Sequence, residues 1–203
     1  MLNFEAAAFV KSAASPAGFL RDGLPQIAFA GRSNVGKSSV INCLTRQGKL
    51  SRVSATPGKT AHVNYFAVPD RETRAAGAYL TDLPGYGFAR VSAAEKQRWA
   101  ELMEAYFAGN AALRLLITIV DVRHGPTRDD LDMLGYAKGR WPVLILANKA
   151  DKLRSAQRAE AVRTLRESLG TSEFLLFSAE TGRAAIRCAP RSKKRCDPAE
   201  SRY

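Results

Sequence analysis

An α/β fold with a mostly parallel sheet and helices on both faces is the class this sequence predicts, and three observations predict it. Short apolar runs alternate with helical patterns from Leu24 to about Ser178, the signature of βαβ units. The glycine-rich text "GRSNVGKSS" at 31–39 joins an apolar run to a helical one. Three further polar motifs, "DLPG", "NKAD" and "SAE", each follow an apolar run, and doubly wound sheets bind ligands beyond the carboxyl ends of their strands.

The elements follow in order. "QIAFAG" is a buried strand, and "KSSVINCLTRQG" a helix closed by Gly48, since glycine commonly terminates helices. "HVNYFAV" and "AYLTDLPG" are strands joined by the polar "PDRETRAAG", a connection short enough for a hairpin, so one of them runs antiparallel. "SAAEKQRWAELMEAYFAG" carries a serine start, glutamate three positions later and a closing glycine, which together specify a helix. "LRLLITIVDV", "PVLILANKAD" and "EFLLFSA" are strands, separated by the helices "TRDDLDMLGYAKG" and "SAQRAEAVRTLRESLG". The stretch from Gly182 to the end holds prolines and arginines without an apolar period, and a loose basic arm is expected there.

At 203 residues and 46% hydrophobic composition, the chain can bury one core, and a single domain is expected. Lysine and arginine outnumber acids 31 to 19, a net charge of +12, which attracts polyanions such as RNA. Three cysteines without metal-ligand spacing point to a reducing compartment rather than a disulfide framework. The N-terminal apolar stretch is broken by Glu5 and Lys11, unlike a secretion signal, and no run reaches the roughly 20 residues of a membrane span. The expected setting is the cytoplasm. His62 and His124 are too isolated to build a metal site, and Trp99 and Trp141 read as packing residues rather than a base-stacking platform.

The chemistry is carried by the polar motifs. Gly31 and Gly36 permit the close backbone approach that turns successive N–H groups toward phosphates. Lys37 supplies charge to the β- and γ-phosphates, and Ser38 a hydroxyl to Mg²⁺. A pattern of this kind arises by chance in about one per cent of such chains, so a phosphate loop is the reading adopted. "NKAD" then selects the base: the Asp151 carboxylate can accept hydrogen bonds from guanine N1–H and its exocyclic amine, donors that adenine lacks. Asn148 can meet the opposite edge of the base, the stem of Lys149 its plane, and the Ala179 N–H guanine O6. An ATP-dependent small-molecule kinase is the rival class, and "NKAD" argues against it. Asp82 can hold Mg²⁺ through water, and the Gly85 N–H can face the γ-phosphate. In "TPGKT", Thr60 could complete the magnesium shell while the γ-phosphate is present, with Gly58, Gly85 and Gly87 giving both loops freedom to rearrange.

Taken together, "GRSNVGKSS", "TPGKT", "DLPGYG", "NKAD" and "FSAE" resemble the EngB (YihA/YsxC) family of bacterial GTPases, of the translation-factor-related class, over roughly residues 3 to 182. The resemblance implies a Ras-like P-loop domain with a six-stranded sheet at 1–182, and leaves 183–203 as a basic tail that departs from the family pattern. It implies Mg²⁺-dependent binding of GTP and GDP, slow hydrolysis, and a role with the large ribosomal subunit and its rRNA in assembly, together with normal cell division and septation. A monomer is expected; a division-site interaction module without a ribosomal role is the alternative.

By matching motifs, nucleotide contacts carry over to Gly31, Arg32, Ser33, Asn34, Val35, Gly36, Lys37 and Ser38 in the phosphate loop, and to Gly58, Lys59 and Thr60. They carry over likewise to Asp82, Leu83, Pro84 and Gly85, to Asn148, Lys149, Ala150 and Asp151, and to Phe177, Ser178 and Ala179. Lys37, Thr60 and Gly85 take the catalytic roles, and Ser38, Thr60 and Asp82 the magnesium. Asn34 matches a position that holds K⁺ in some related GTPases. Where Ras-type enzymes place a glutamine to orient water, this chain has Tyr86, so intrinsic hydrolysis is expected to be slow without a partner or cation.

Overall fold

The computed structural model describes residues 1–51, 62–87, 92–170 and 173–187. The "TPGKT" stretch, with Gly58, Lys59 and Thr60, lies outside the described residues, as does everything after residue 187.

Eight strands form one sheet: β1 (Ala8–Ala13), β2 (Gln26–Gly31), β3 (Val63–Pro69), β4 (Ala76–Asp82), β5 (Leu113–Asp121), β6 (Val143–Asn148), β7 (Phe174–Ser178) and β8 (Arg183–Arg187). Their spatial order is β1-β3-β4-β2-β5-β6-β7-β8. The central pairs β4–β2, β2–β5, β5–β6 and β6–β7 are parallel, whereas β3 runs antiparallel to β4, as the short polar connection between them requires. The six strands expected from the sequence are therefore the middle six, and the count is corrected to eight. β1 adds antiparallel to β3, and β8 antiparallel to β7, so part of the segment expected to be a loose arm is an edge strand. Neither added strand shows the two-residue alternation that would mark it: "AFVKSA" leaves Phe9 and Val10 exposed, and "RAAIR" is bounded by arginines.

Four helices flank the sheet: α1 (Lys37–Thr45), α2 (Ala93–Phe107), α3 (Arg128–Ala137) and α4 (Ser155–Leu169). Capping boxes start α2 at Ser92, whose hydroxyl accepts from Glu95 N–H, and α3 at Thr127, which accepts from Asp130 N–H, each satisfying N–H groups that the helix itself leaves unpaired. α1 ends earlier than expected, because Arg46 adopts the left-handed conformation at φ 52° and its N–H returns to the carbonyls of Asn42 and Cys43. Gly48 is not the terminator.

Strand β5 shows how the sheet divides its core. Leu116 packs with Leu102, Met103, Tyr106 and Phe107 of α2 and with Met133 and Ala137 of α3. Ile117 and Ile119 pack with Val40 and Ile41 of α1 and with Phe29 and Phe66. Val120 joins Leu165 of α4 through Ile145 and Leu176. Each such side chain contributes about 1.5–3 kcal/mol when fully buried. Among the described residues no helix is long and apolar enough to cross a membrane.

Candidate functional site

The carboxyl ends of β2, β4, β6 and β7 bring four of the five sequence motifs to one rim of the sheet. After β2 the chain turns tightly through 31–36 into α1. Asn34 takes φ 62° and Gly36 φ 102°, and the Gly36 carbonyl accepts the first-turn N–H of Val40 at 2.9 Å. A methyl group on Gly36 would stand 2.5 Å from Asn148 Nδ2, and one on Gly31 2.7 Å from the Ile119 carbonyl. Both approaches are closer than any side chain tolerates, so glycine is required for contact as well as for conformation.

Lys37 and Asp82 face each other beneath this loop, Nζ to Oδ1 at 4.0 Å, with side chains 12% and 9% exposed. Burial pushes the Asp82 carboxyl above its usual range, against the opposing pull of Lys37 and of hydrogen bonds from Ser51 and Ser38. Ser51 Oγ donates to Oδ2 at 3.2 Å, while Oδ1 is buried with no hydrogen-bond partner among the described residues. A buried, unpaired carboxylate oxygen beside a serine hydroxyl suits a hard divalent cation that keeps most of its water and takes its remaining oxygens from a phosphate chain. Among the described residues no three acidic, histidine or cysteine side chains cluster to hold a metal alone.

The "NKAD" and "FSAE" motifs are tied to the glycine-rich loop through Asn148, which is 2% exposed. Its Nδ2 donates to the Val35 carbonyl at 3.0 Å, and its Oδ1 accepts the Ala179 N–H at 3.2 Å. The sequence suggested that Asn148 and the Ala179 N–H would each meet the base; here each is bonded to the other, and Asn148 joins three loops into one body. Lys149, at φ 68°, donates through Nζ to the Asn34 carbonyl at 2.7 Å and pairs with Asp121 Oδ2 at 2.9 Å. Asp121 also receives Arg123 Nε at 2.9 Å and Nη2 at 2.7 Å. Burial would raise the Asp121 carboxyl, but the Arg123 and Lys149 hydrogen bonds outweigh it and hold the group well below the carboxylate range. Arg123 is thus a structural partner of Asp121, and the Lys149 stem is fixed along the loop.

Asp151 lies in the short turn Ala150–Lys152. Ser178 Oγ donates to its Oδ1 at 2.7 Å, and Lys152 Nζ stands 3.4 Å from Oδ2. The Ser178 bond, with smaller help from Lys152, lowers its carboxyl, which keeps it an acceptor. Ser178 and Ala179 therefore orient Asp151 and Asn148.

Other positioning residues carried no motif. Ser51 on Asp82 follows α1 without any pattern. Asp121 is legible only as the charged end of β5. Asp130, buried at 1%, accepts the Tyr86 hydroxyl at 2.8 Å, and Trp99 Nε1 donates to the Pro84 carbonyl at 3.1 Å; each bridges segments far apart in sequence. Trp141 packs against Phe107, with ring centroids 5.1 Å apart, as expected of a packing residue.

Comparison with known proteins agrees with this geometry. The family model described as "50S ribosome-binding GTPase" matches residues 26–149. The "Probable GTP-binding protein EngB" of Geobacillus kaustophilus (strain HTA426) is 42% identical over 185 residues, 89% of this chain and 92% of that one. The protein of the same description from Anaeromyxobacter sp. (strain Fw109-5) is 45% identical over 181 residues, 86% of this chain and 83% of its own. The crystal structure of a probable GTP-binding protein engB has the same fold, with a TM-score of 0.58 and 24% identity over 77% of this chain and 90% of that one. With the glycine-rich loop, "NKAD" and the buried Lys37–Asp82 pair at one rim of a Ras-like sheet, the chain belongs to the EngB family of GTP-binding proteins and is a GTPase.

Proposed function

We propose that the chain is a GTP-driven switch that acts on the large ribosomal subunit during its assembly, with slow Mg²⁺-dependent hydrolysis between its two states. The observation that carries this reading is the Asn148 bridge between Val35 and Ala179, because it makes base recognition and phosphate recognition one event. The ribosomal partner is supported by the family description and by the net charge of +12, which favours rRNA. Effects on division and septation would follow from that role.

In this reading the loop from Gly31 to Ser38 wraps the phosphates with backbone N–H groups, and Lys37 neutralises charge building on the β–γ bridge. Ser38 and Asp82 would hold Mg²⁺, Asp82 through water, with Thr60 completing the shell; the cation supplies charge stabilisation to the phosphoryl oxygens. Gly85 N–H faces the γ-phosphate. Asp151 reads guanine, while Asn148 and Lys149 keep the loops in register. Tyr86 replaces the water-orienting glutamine of Ras-type enzymes, and its hydroxyl is occupied by Asp130, so an external element is needed for speed. We assign that element to the large subunit and to K⁺ held at Asn34.

GTP turnover measured alone, with large subunits and with small subunits, in K⁺ and in Na⁺ buffers, tests the proposal. Turnover should rise at least tenfold with large subunits only, and further in K⁺. A rate indifferent to large subunits would leave a nucleotide-binding module of the division site as the better reading, and equal rates in K⁺ and Na⁺ would remove the cation role of Asn34.

A further inference from the structure

The loop that follows β4 is held at three points by three different elements. Trp99 of α2 donates through Nε1 to the Pro84 carbonyl at 3.1 Å. Ser33 of the phosphate loop donates its backbone N–H to the Tyr86 carbonyl at 3.0 Å, and Arg32 and Tyr86 form a parallel bridge. The Tyr86 hydroxyl donates to Asp130 Oδ1 at 2.8 Å, while Asp130 Oδ2 accepts from the Thr127 N–H and hydroxyl, both at 2.8 Å, in the capping box of α3. The Tyr86 ring is 6% exposed and meets Trp99 edge-on at 6.0 Å. Nothing in the chemistry of hydrolysis calls for a buried tyrosine bonded to a helix cap.

What the three anchors fix is Gly85. A methyl group on Gly85 would lie 3.1 Å from Ser33 N and 3.3 Å from Lys37 Nζ, so its Cα stands no more than about 5 Å from the lysine nitrogen. A Cα that close leaves no room for a phosphoryl group directly between it and the Lys37 ammonium, since each side of such a group needs its own contact distance of about 3 Å. A γ-phosphate placed between Lys37 and Gly85 therefore favours an outward shift of this loop, whereas α- and β-phosphates enclosed by 31–38 do not. Such a shift strains all three anchors, the Trp99–Pro84, Ser33–Tyr86 and Tyr86–Asp130 bonds.

We propose that Tyr86 is a positioning residue that sets the nucleotide preference of the switch: its bond to Asp130 latches the loop against the phosphate loop and so favours GDP over GTP. The proposal rests on the GTP-binding reading of the site. A ligand shifts such an equilibrium only by its difference in affinity for the two arrangements, and a hydrogen bond from a hydroxyl to a buried carboxylate is of a strength to matter. Tyr86→Phe keeps the ring against Trp99 and removes only the bond.

The test is the dissociation constant of the whole chain for fluorescently labelled GDP and for a labelled non-hydrolysable GTP analogue, in Mg²⁺ buffer, for the unaltered protein, Tyr86→Phe and Asp130→Asn. Tyr86→Phe should bind the analogue about tenfold more tightly with GDP affinity moved less than about twofold, and Asp130→Asn, whose one amide oxygen cannot both cap α3 and receive the Tyr86 hydroxyl, should shift the ratio in the same direction. An unchanged ratio of the two constants, or equal weakening for both nucleotides, would overturn the latch and leave Tyr86 a packing residue. Failure of the unaltered chain to bind either nucleotide would instead overturn the site reading itself.

Discussion

Asp151→Asn is expected to weaken GTP binding by about 100-fold or more, equivalent to about 2.7 kcal/mol, and to create affinity for xanthosine triphosphate. The carboxylate can accept from both guanine N1–H and the exocyclic amine. An asparagine amide offers one acceptor and one donor, so it opposes the amine yet matches the carbonyl that xanthine carries at the same position. The fold should tolerate the change, because Ser178 Oγ, now donating to Asp151 at 2.7 Å, can donate equally to an amide oxygen. Competition of the two triphosphates against a fluorescent nucleotide measures the exchange. Equal loss for both would mean that Asp151 supports the loop without reading the base.

Gly36→Ala should produce the largest loss of both stability and binding. The residue sits at φ 102°, where an L-side chain is strained, and the new methyl would press on Asn148 Nδ2 from 2.5 Å. The amide would have to leave the Val35 carbonyl, which it reaches at 3.0 Å, and the bridge between base and phosphate loops would open. Strain and overpacking together predict a loss of about 2–4 kcal/mol, or a fall in Tm of about 5–15 °C for a domain of this size, with nucleotide affinity lost in parallel. Gly48→Ala is the control, since a methyl there meets no atom within 4 Å and the helix ends at Arg46 without it; it should be neutral. Thermal unfolding of the two variants side by side decides the point.

These two residues also mark how far the sequence could be read. The phosphate loop was legible because glycine, lysine and serine must stand at fixed spacing between a strand and a helix, and the structure places them so. "NKAD" was visible as polar text closing an apolar strand run, and the structure places it at the end of β6. The work of Asn148 was not, because its partners Val35 and Ala179 come from the loops that follow β2 and β7, and no local pattern announces a side chain shared by two loops. Ser51, Asp121 and Asp130 escaped likewise: each supports a motif residue that is remote in sequence, on Asp82, Lys149 and Tyr86. The central six strands followed from apolar runs between punctuation. Strand β1 did not, since its hold on β3 comes from backbone pairing and a ring contact between Phe9 and Phe66 at 5.8 Å, while Phe9 itself is more than half exposed. Strand β8 hid in arginine-bounded text for the same reason.

A GTP-driven switch on the large ribosomal subunit requires a contact that depends on which nucleotide is bound. Co-sedimentation with purified large and small subunits, in Mg²⁺ buffer with GDP or a non-hydrolysable GTP analogue and at two salt concentrations, tests it most directly, because a chain of net charge +12 binds RNA indiscriminately at low salt. Binding should be to the large subunit alone, with the analogue alone, and should persist at the higher salt. Equal binding in both nucleotide states that vanishes as salt rises would contradict it, and would reduce the association to the charge of the surface.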